Sequence, residues 1–150
     1  MIKNRPTIVC LCGSTRFGKE FADANLRETL AGNIVLTIGC NFKSDAELFK
    51  DATPEALLRI KADLDELHKR KIDLSDEVLI LNVYGYVGES TLGELVYALQ
   101  RKKTVRWLDP NRALSFNEIA ALQQTFSLSR PGTITTPQRG VSGGKDETER

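Results

Sequence analysis

Four short apolar runs, at residues 7–12, 34–38, 77–83 and 104–108, alternate along this chain with segments whose apolar residues recur at helical spacing. That alternation constrains the fold more than any other feature. Parallel strands need a crossover of about a dozen residues or more, and a helix is the usual way to supply it. The first run, TIVCLC, is bounded by Pro6 and Gly13 and has the continuous apolar character of a strand buried on both faces. The expected architecture is a single α/β domain: a doubly wound parallel sheet of four to five strands, flavodoxin- or Rossmann-like, with helices on both faces.

The helical segments carry their own signals. Residues 17–30 place Phe21, Ala22, Leu26 and Leu30 at helical spacing, and Gly32 with Asn33 stops them. Thr53 followed by Pro54 opens a second helix in which Leu57, Ile60, Leu64, Leu67 and Ile72 form a stripe predicted to pack on the sheet. Residues 91–101 form a third helix, and 115–126 a last one, with Ser115 and Glu118 matching a capping box. The polar stretch 41–53 admits a short helix around 46–49. From residue 129 onward too few large apolar groups remain to offset the entropy of ordering, which predicts a domain over 1–128 and a mobile polar tail over 129–150.

Composition bounds the function. With 150 residues and 41% hydrophobic content, the chain can bury a full core. A net charge of +1 gives no general electrostatic reason to bind a nucleic acid polymer or an anionic membrane, so an anionic partner must be recognised locally. The three cysteines, Cys10, Cys12 and Cys40, read neither as a disulfide framework nor as a zinc set, because Cys-x-Cys has no matching second pair. They are expected to be buried thiols in a reducing compartment. The N-terminus lacks the apolar centre of a secretory signal and no run approaches the roughly 20 apolar residues of a membrane span, so a cytoplasmic protein is expected.

Ligands of open parallel sheets bind beyond the carboxyl ends of the strands. Two loops there carry unusual chemistry. In the first, Gly13 permits close approach of backbone, Ser14 and Thr15 offer hydroxyls, and Arg16 offers a fork for a phosphate or carboxylate. It is neither a Walker sequence nor a complete dinucleotide fingerprint, and a helix cap followed by a surface arginine is the plain alternative. In the second, Gly85 and Gly88 permit tight turning, Ser90 and Thr91 offer hydroxyls, and Tyr84 and Tyr86 offer rings for stacking. Glu94 is placed in the first turn of the following helix, where the macrodipole favours its ionised form by about 0.3–1 kcal/mol. An ionised carboxylate can act as a nucleophile toward a sugar C1′; an ordinary helix acid, like Glu89, is the alternative.

The phrases CGSTRF and DEVLILNVYGYVGESTLGELVYALQRKKTVRWL, in that order and spacing, resemble the nucleoside 2-deoxyribosyltransferase superfamily and its nucleoside 5′-monophosphate N-glycosidase branch, over residues 8–108. The resemblance implies that Glu94, followed by Leu95 and Ala98, is the nucleophile. It implies that Ser90 and Thr91, after Gly88, hold a 5′-phosphate, and that Gly13, Ser14, Thr15 and Arg16 face the sugar and phosphate. Phe17 or Tyr86 would stack on the base. Asp76 matches an acid found before the third strand of relatives and is a candidate to orient the sugar or assist the leaving base; a structural role is the alternative. Cys10 stands where the family has a tyrosine, and His68 approximately where it has an aspartate. Histidine can replace that acid/base near neutral pH; a surface ion pair of His68 with Asp65 is the other reading. The implied function is hydrolysis or transfer at an N-glycosidic bond, without metal or cofactor, in a homodimer or higher homo-oligomer. Two alternatives stand beside it: a nucleotide-binding sensor without turnover, and a cytokinin-type phosphoribohydrolase, against which the absence of a Pro-Gly-Gly-x-Gly-Thr phrase speaks.

Overall fold

The computed structural model describes residues 4–39 and 45–129. In chain order the elements are β1 (Ile8–Cys12), α1 (Gly18–Leu30), β2 (Ile34–Leu36), α2 (Asp45–Leu48), α3 (Pro54–Leu74), β3 (Glu77–Ile80), α4 (Glu89–Gln100), β4 (Thr104–Trp107) and α5 (Phe116–Leu128). The four strands form one parallel sheet in the order β2-β1-β3-β4. The chain winds outward from β1 to β2, then α3 carries it back past β1 to β3. The β1/β3 pair is therefore the switch point at which the strand-end loops diverge and leave a crevice.

Side chains alternate across the sheet with a period of two. Cys10, Cys12, Val78 and Ile80 face Ile72 of α3, Leu92, Leu95 and Ala98 of α4, and Ile119 of α5. Val9, Leu11, Leu79 and Leu81 face Phe21 and Ala24 of α1. Helices thus cover both faces, and Val9 to Cys12 are all fully buried. Each large apolar side chain so buried contributes about 1.5–3 kcal/mol relative to exposure. Toward the β4 edge the α1 face becomes polar: Arg106 of β4 donates to Glu28 of α1 and Glu77 of β3, each at 2.9 Å.

The caps follow the sequence signals. Thr53 Oγ1 accepts from Ala56 N at 3.1 Å with Pro54 in the first turn, and Ser115 and Glu118 complete a reciprocal capping box. The apolar stripes, by contrast, are corrected. In α3 only His68 and Ile72 are buried, while Leu64 and Leu67 stay about half exposed, because the first part of the helix overhangs a cavity instead of the sheet. In α1 the buried positions are Phe21, Ala24 and Glu28; Leu26 and Leu30 face outward. The second and third strands end earlier than their apolar runs, at Leu36 and Ile80, and α4 begins two residues earlier than its apolar spacing suggests. Among the described residues no helix is long and apolar enough to cross a membrane. Cys40, residues 41–44 and the expected tail from 130 onward lie outside the described residues.

Candidate active site

Both loops converge at the carboxyl ends of β1 and β3. A Cβ at Gly13 would stand 3.0 Å from Leu81 Cβ and 3.3 Å from the Phe21 ring, so a larger residue here would have to push these neighbours back. Ser14 then caps a single 3₁₀ turn, accepting from Arg16 N. On the other side Asn82, fully buried, anchors the end of β3. Its Nδ2 donates to the carbonyls of Asp109 and Arg112, and its Oδ1 accepts from Asp109 N at 2.9 Å. Tyr84 and Gly85 then take left-handed conformations, with φ of 54° and 80°. That turn sends Tyr84 into solvent and brings Tyr86 back toward the first loop.

A cavity of about 610 Å³ lies between the two loops, α3 and the start of α4. Gly13, Ser14 and Thr15 line it from the first loop; Tyr86, Gly88, Ser90 and Thr91 line it from the second. Gly88 occupies the N-cap of α4 and brings no side-chain cap, so the positive end of the helix is directed at the cavity. Arg16 and Phe17 are not part of the lining. Arg16 instead stacks over the Tyr86 ring at 4.4 Å, donates to its hydroxyl at 3.2 Å and donates to Ser14 Oγ at 3.2 Å. Phe17 meets the same ring edge-on at 5.9 Å. The two residues fix Tyr86 at the rim.

Glu94 and His68 both line the cavity and approach each other at its floor, with His68 Nε2 3.8 Å from Glu94 Oε2. The expected first-turn position of Glu94 is corrected. It is the sixth residue of α4, one turn deeper, and its side chain is only 13% exposed. The environment reverses the expected electrostatics: burial raises its pKa to about 7, and the opposing charge of His68 offsets this only in part. Glu94 Oε2 is the one buried side-chain oxygen or nitrogen among the described residues that has no hydrogen-bond partner.

His68 is no surface residue, which removes the reading of it as an exposed ion pair with Asp65. Its Nε2 lies 3.7 Å from Cys10 Sγ and 3.4 Å from Cys12 Sγ. Burial pushes the imidazole pKa down, but the Cys10 hydrogen bond and the Glu94 charge outweigh it, leaving His68 above its ordinary value. The thiols split: the hydrogen bond with Cys12 draws Cys10 down to about 6, whereas burial pushes Cys12 well up.

Asp76 is not brought to this site. It precedes β3, at the amino ends of the strands, on the order of 13 Å from the carboxyl ends at the rise of a four-residue strand. There it accepts two 2.8 Å bonds from the Arg5 guanidinium and one from Ile8 N at 2.9 Å, a brace between the starts of the two central strands. Lys61 and Lys71 do line the cavity and were missed as site residues. The spacing of Lys61, Leu64, His68 and Lys71 is a helical face that could have revealed them. No protein-family model matches the chain, and neither a curated protein nor a solved structure does.

Proposed function

We propose that this protein breaks, by hydrolysis or transfer, the N-glycosidic bond of a nucleoside or nucleoside 5′-monophosphate, with Glu94 as nucleophile. The observation that carries the reading is the unpartnered carboxylate oxygen of Glu94 at the floor of a cavity at the sheet's switch point, beside His68. The cavity volume falls within the about 300–1,000 Å³ usual for small-molecule sites. The positive end of α4, with Ser90 and Thr91, suits a 5′-phosphate, and Lys61 and Lys71 add cationic charge to the lining. Tyr86 presents a ring for the base.

In the first step a Glu94 carboxylate oxygen attacks C1′. The C1′–N bond breaks with its electron pair going to the base, and His68, as imidazolium, gives the base its proton. In the second, water or an acceptor base attacks C1′ while neutral His68 takes the proton, and Glu94 leaves as carboxylate. The free thiols of Cys10 and Cys12 suit a reducing cytoplasm, and the motif resemblance supports a homo-oligomer; light scattering that finds only monomer removes the latter. Incubation with a panel of ribo- and deoxyribonucleosides and their 5′-monophosphates, followed by chromatography of free base, tests the activity. Release from at least one substrate, abolished in Glu94→Ala, supports it. Tight nucleotide binding without release, unchanged in Glu94→Gln, leaves a sensor instead.

A further inference from the structure

Cys10 and Cys12 lie two residues apart on β1 and project from the same face of the sheet, where α3 lays His68 over them. The two sulfurs and one imidazole nitrogen all lie within 4.8 Å of one another, and all three residues are buried. His68 Nε2 is 3.7 Å from Cys10 Sγ, 3.4 Å from Cys12 Sγ and 3.8 Å from the unpartnered Glu94 Oε2. In a tetrahedral zinc centre, bonds of about 2.3 Å to sulfur, about 2.0–2.1 Å to nitrogen and about 2.0–2.2 Å to oxygen give donor separations of about 3.5 Å for S···N and about 3.3 Å for N···O. The two distances from His68 Nε2 to the sulfurs agree with the S···N value to within about half an ångström. His68 and Glu94 also line the cavity, which gives an ion a path in from solvent.

We propose that Cys10, Cys12 and His68 form a three-donor binding site for a thiophilic divalent cation of the zinc class, with its fourth position open to the cavity. Two thiolates and an imidazole select such an ion over Mg²⁺ or Ca²⁺, which require oxygen donors. Any thiol protons are released to solvent as the metal–sulfur bonds form. Residue spacing alone argues against zinc here, since Cys-x-Cys has no second pair; the fold supplies the third donor, His68, from α3. Occupancy ties up His68 Nε2, the proposed proton donor to the departing base, so the ion and glycosidic turnover exclude each other. That consequence rests on the proposed function, whereas the binding itself does not.

Co²⁺ titration of the reduced, chelator-treated full-length protein reads the site directly. The expected result is a near-ultraviolet thiolate-to-cobalt band with the visible bands of tetrahedral Co²⁺, saturating at one ion per chain and displaced by Zn²⁺ but not by Mg²⁺. Cys10→Ser and Cys12→Ser each abolish the band or weaken Zn²⁺ binding by more than the about 10–100-fold typical of groups that only support a ligand. Circular dichroism identifies any variant that fails to fold, in which case His68→Gln, expected to weaken Zn²⁺ binding and shift the visible bands, carries the test. Absence of the charge-transfer band at excess Co²⁺ overturns the proposal, as does a band that persists in both Cys10→Ser and Cys12→Ser. If base release is observed, one equivalent of Zn²⁺ stops it and chelation restores it. Full turnover with the ion bound overturns the His68 ligation, while cobalt binding without any base release keeps the metal site and removes the glycosidase.

Discussion

His68 on α3 and Glu94 on α4 face each other across the carboxyl end of β1, Nε2 and Oε2 3.8 Å apart, with 5% and 13% of their side chains exposed. The separation is too long for a hydrogen bond, so the carboxylate is held close to a countercharge without being tied to it. As a nucleophile Glu94 must be ionised, and burial holds its pKa at about 7. Base release by metal-free protein is therefore expected to rise as Glu94 ionises at about 7, instead of in the ordinary carboxylate range near 4.3, and to fall again at higher pH as His68 loses the proton it donates. Glu94→Gln is expected to abolish release at every pH while preserving nucleotide binding. A rate that is flat between pH 5 and 8, or a Glu94→Gln variant that still turns over, removes Glu94 from the nucleophile's role.

His68, as proton donor to the departing base, is expected to contribute about 10²–10⁴-fold to the rate. His68→Gln should then lose most with bases that leave poorly as anions and least with an activated leaving group that needs no proton. Measuring kcat/KM over a series of leaving-group pKa values separates this from a packing role. Equal losses across the series would mean that His68 only supports the floor of the cavity.

The fold was legible in the sequence where its determinants are local. Thr53-Pro54 and the Ser115/Glu118 box act within one turn of chain, and the β-branched runs bounded by breakers mark strands by their own composition. The stripes of α1 and α3 were misread for a physical reason. Periodicity defines which side chains share a face, but what covers that face depends on where the helix lies over the sheet; Leu64 and Leu67 overhang a cavity. The same limit applies to the candidate site. Glu94 and the Gly13 loop are conspicuous in the chain, but the meeting of His68 with Cys10 and Cys12 spans 58 and 56 residues and exists only because α3 crosses back over β1. Glu94's ionisation was likewise invisible, since its depth in the core, and not its distance from a helix end, sets it.

Asp76 is expected to matter for stability and not for turnover. Asp76→Ala removes both Arg5 bonds and leaves Ile8 N without its carboxylate acceptor, at a cost of about 1–3 kcal/mol. Urea denaturation should show that loss, with KM and kcat for base release unchanged at temperatures where the variant is folded. A large fall in kcat without a fall in stability would place Asp76 in the mechanism after all.

Glu28 sets the acid limit of the fold. Its carboxylate is nearly buried and accepts from Arg106 Nη1 at 2.9 Å and from Asn33 Nδ2 at 2.7 Å, and the Arg106 hydrogen bond is the main cause that holds its pKa below the ordinary value. A carboxyl group whose pKa is lower folded than unfolded contributes stability that is fully present above the unfolded value, near 4.3, and is lost as pH falls through the folded one. Arg106→Met should cost about 1–3 kcal/mol at pH 7, less than a fully buried pair because Arg106 is partly exposed. It should also flatten the dependence of unfolding free energy on pH below about 5, because Glu28 then loses the largest cause of its lowered pKa and keeps only the Asn33 hydrogen bond and the Arg27 charge. Urea midpoints from pH 3 to 7 for both proteins check this. Parallel pH curves for the two would show that the acid sensitivity arises elsewhere.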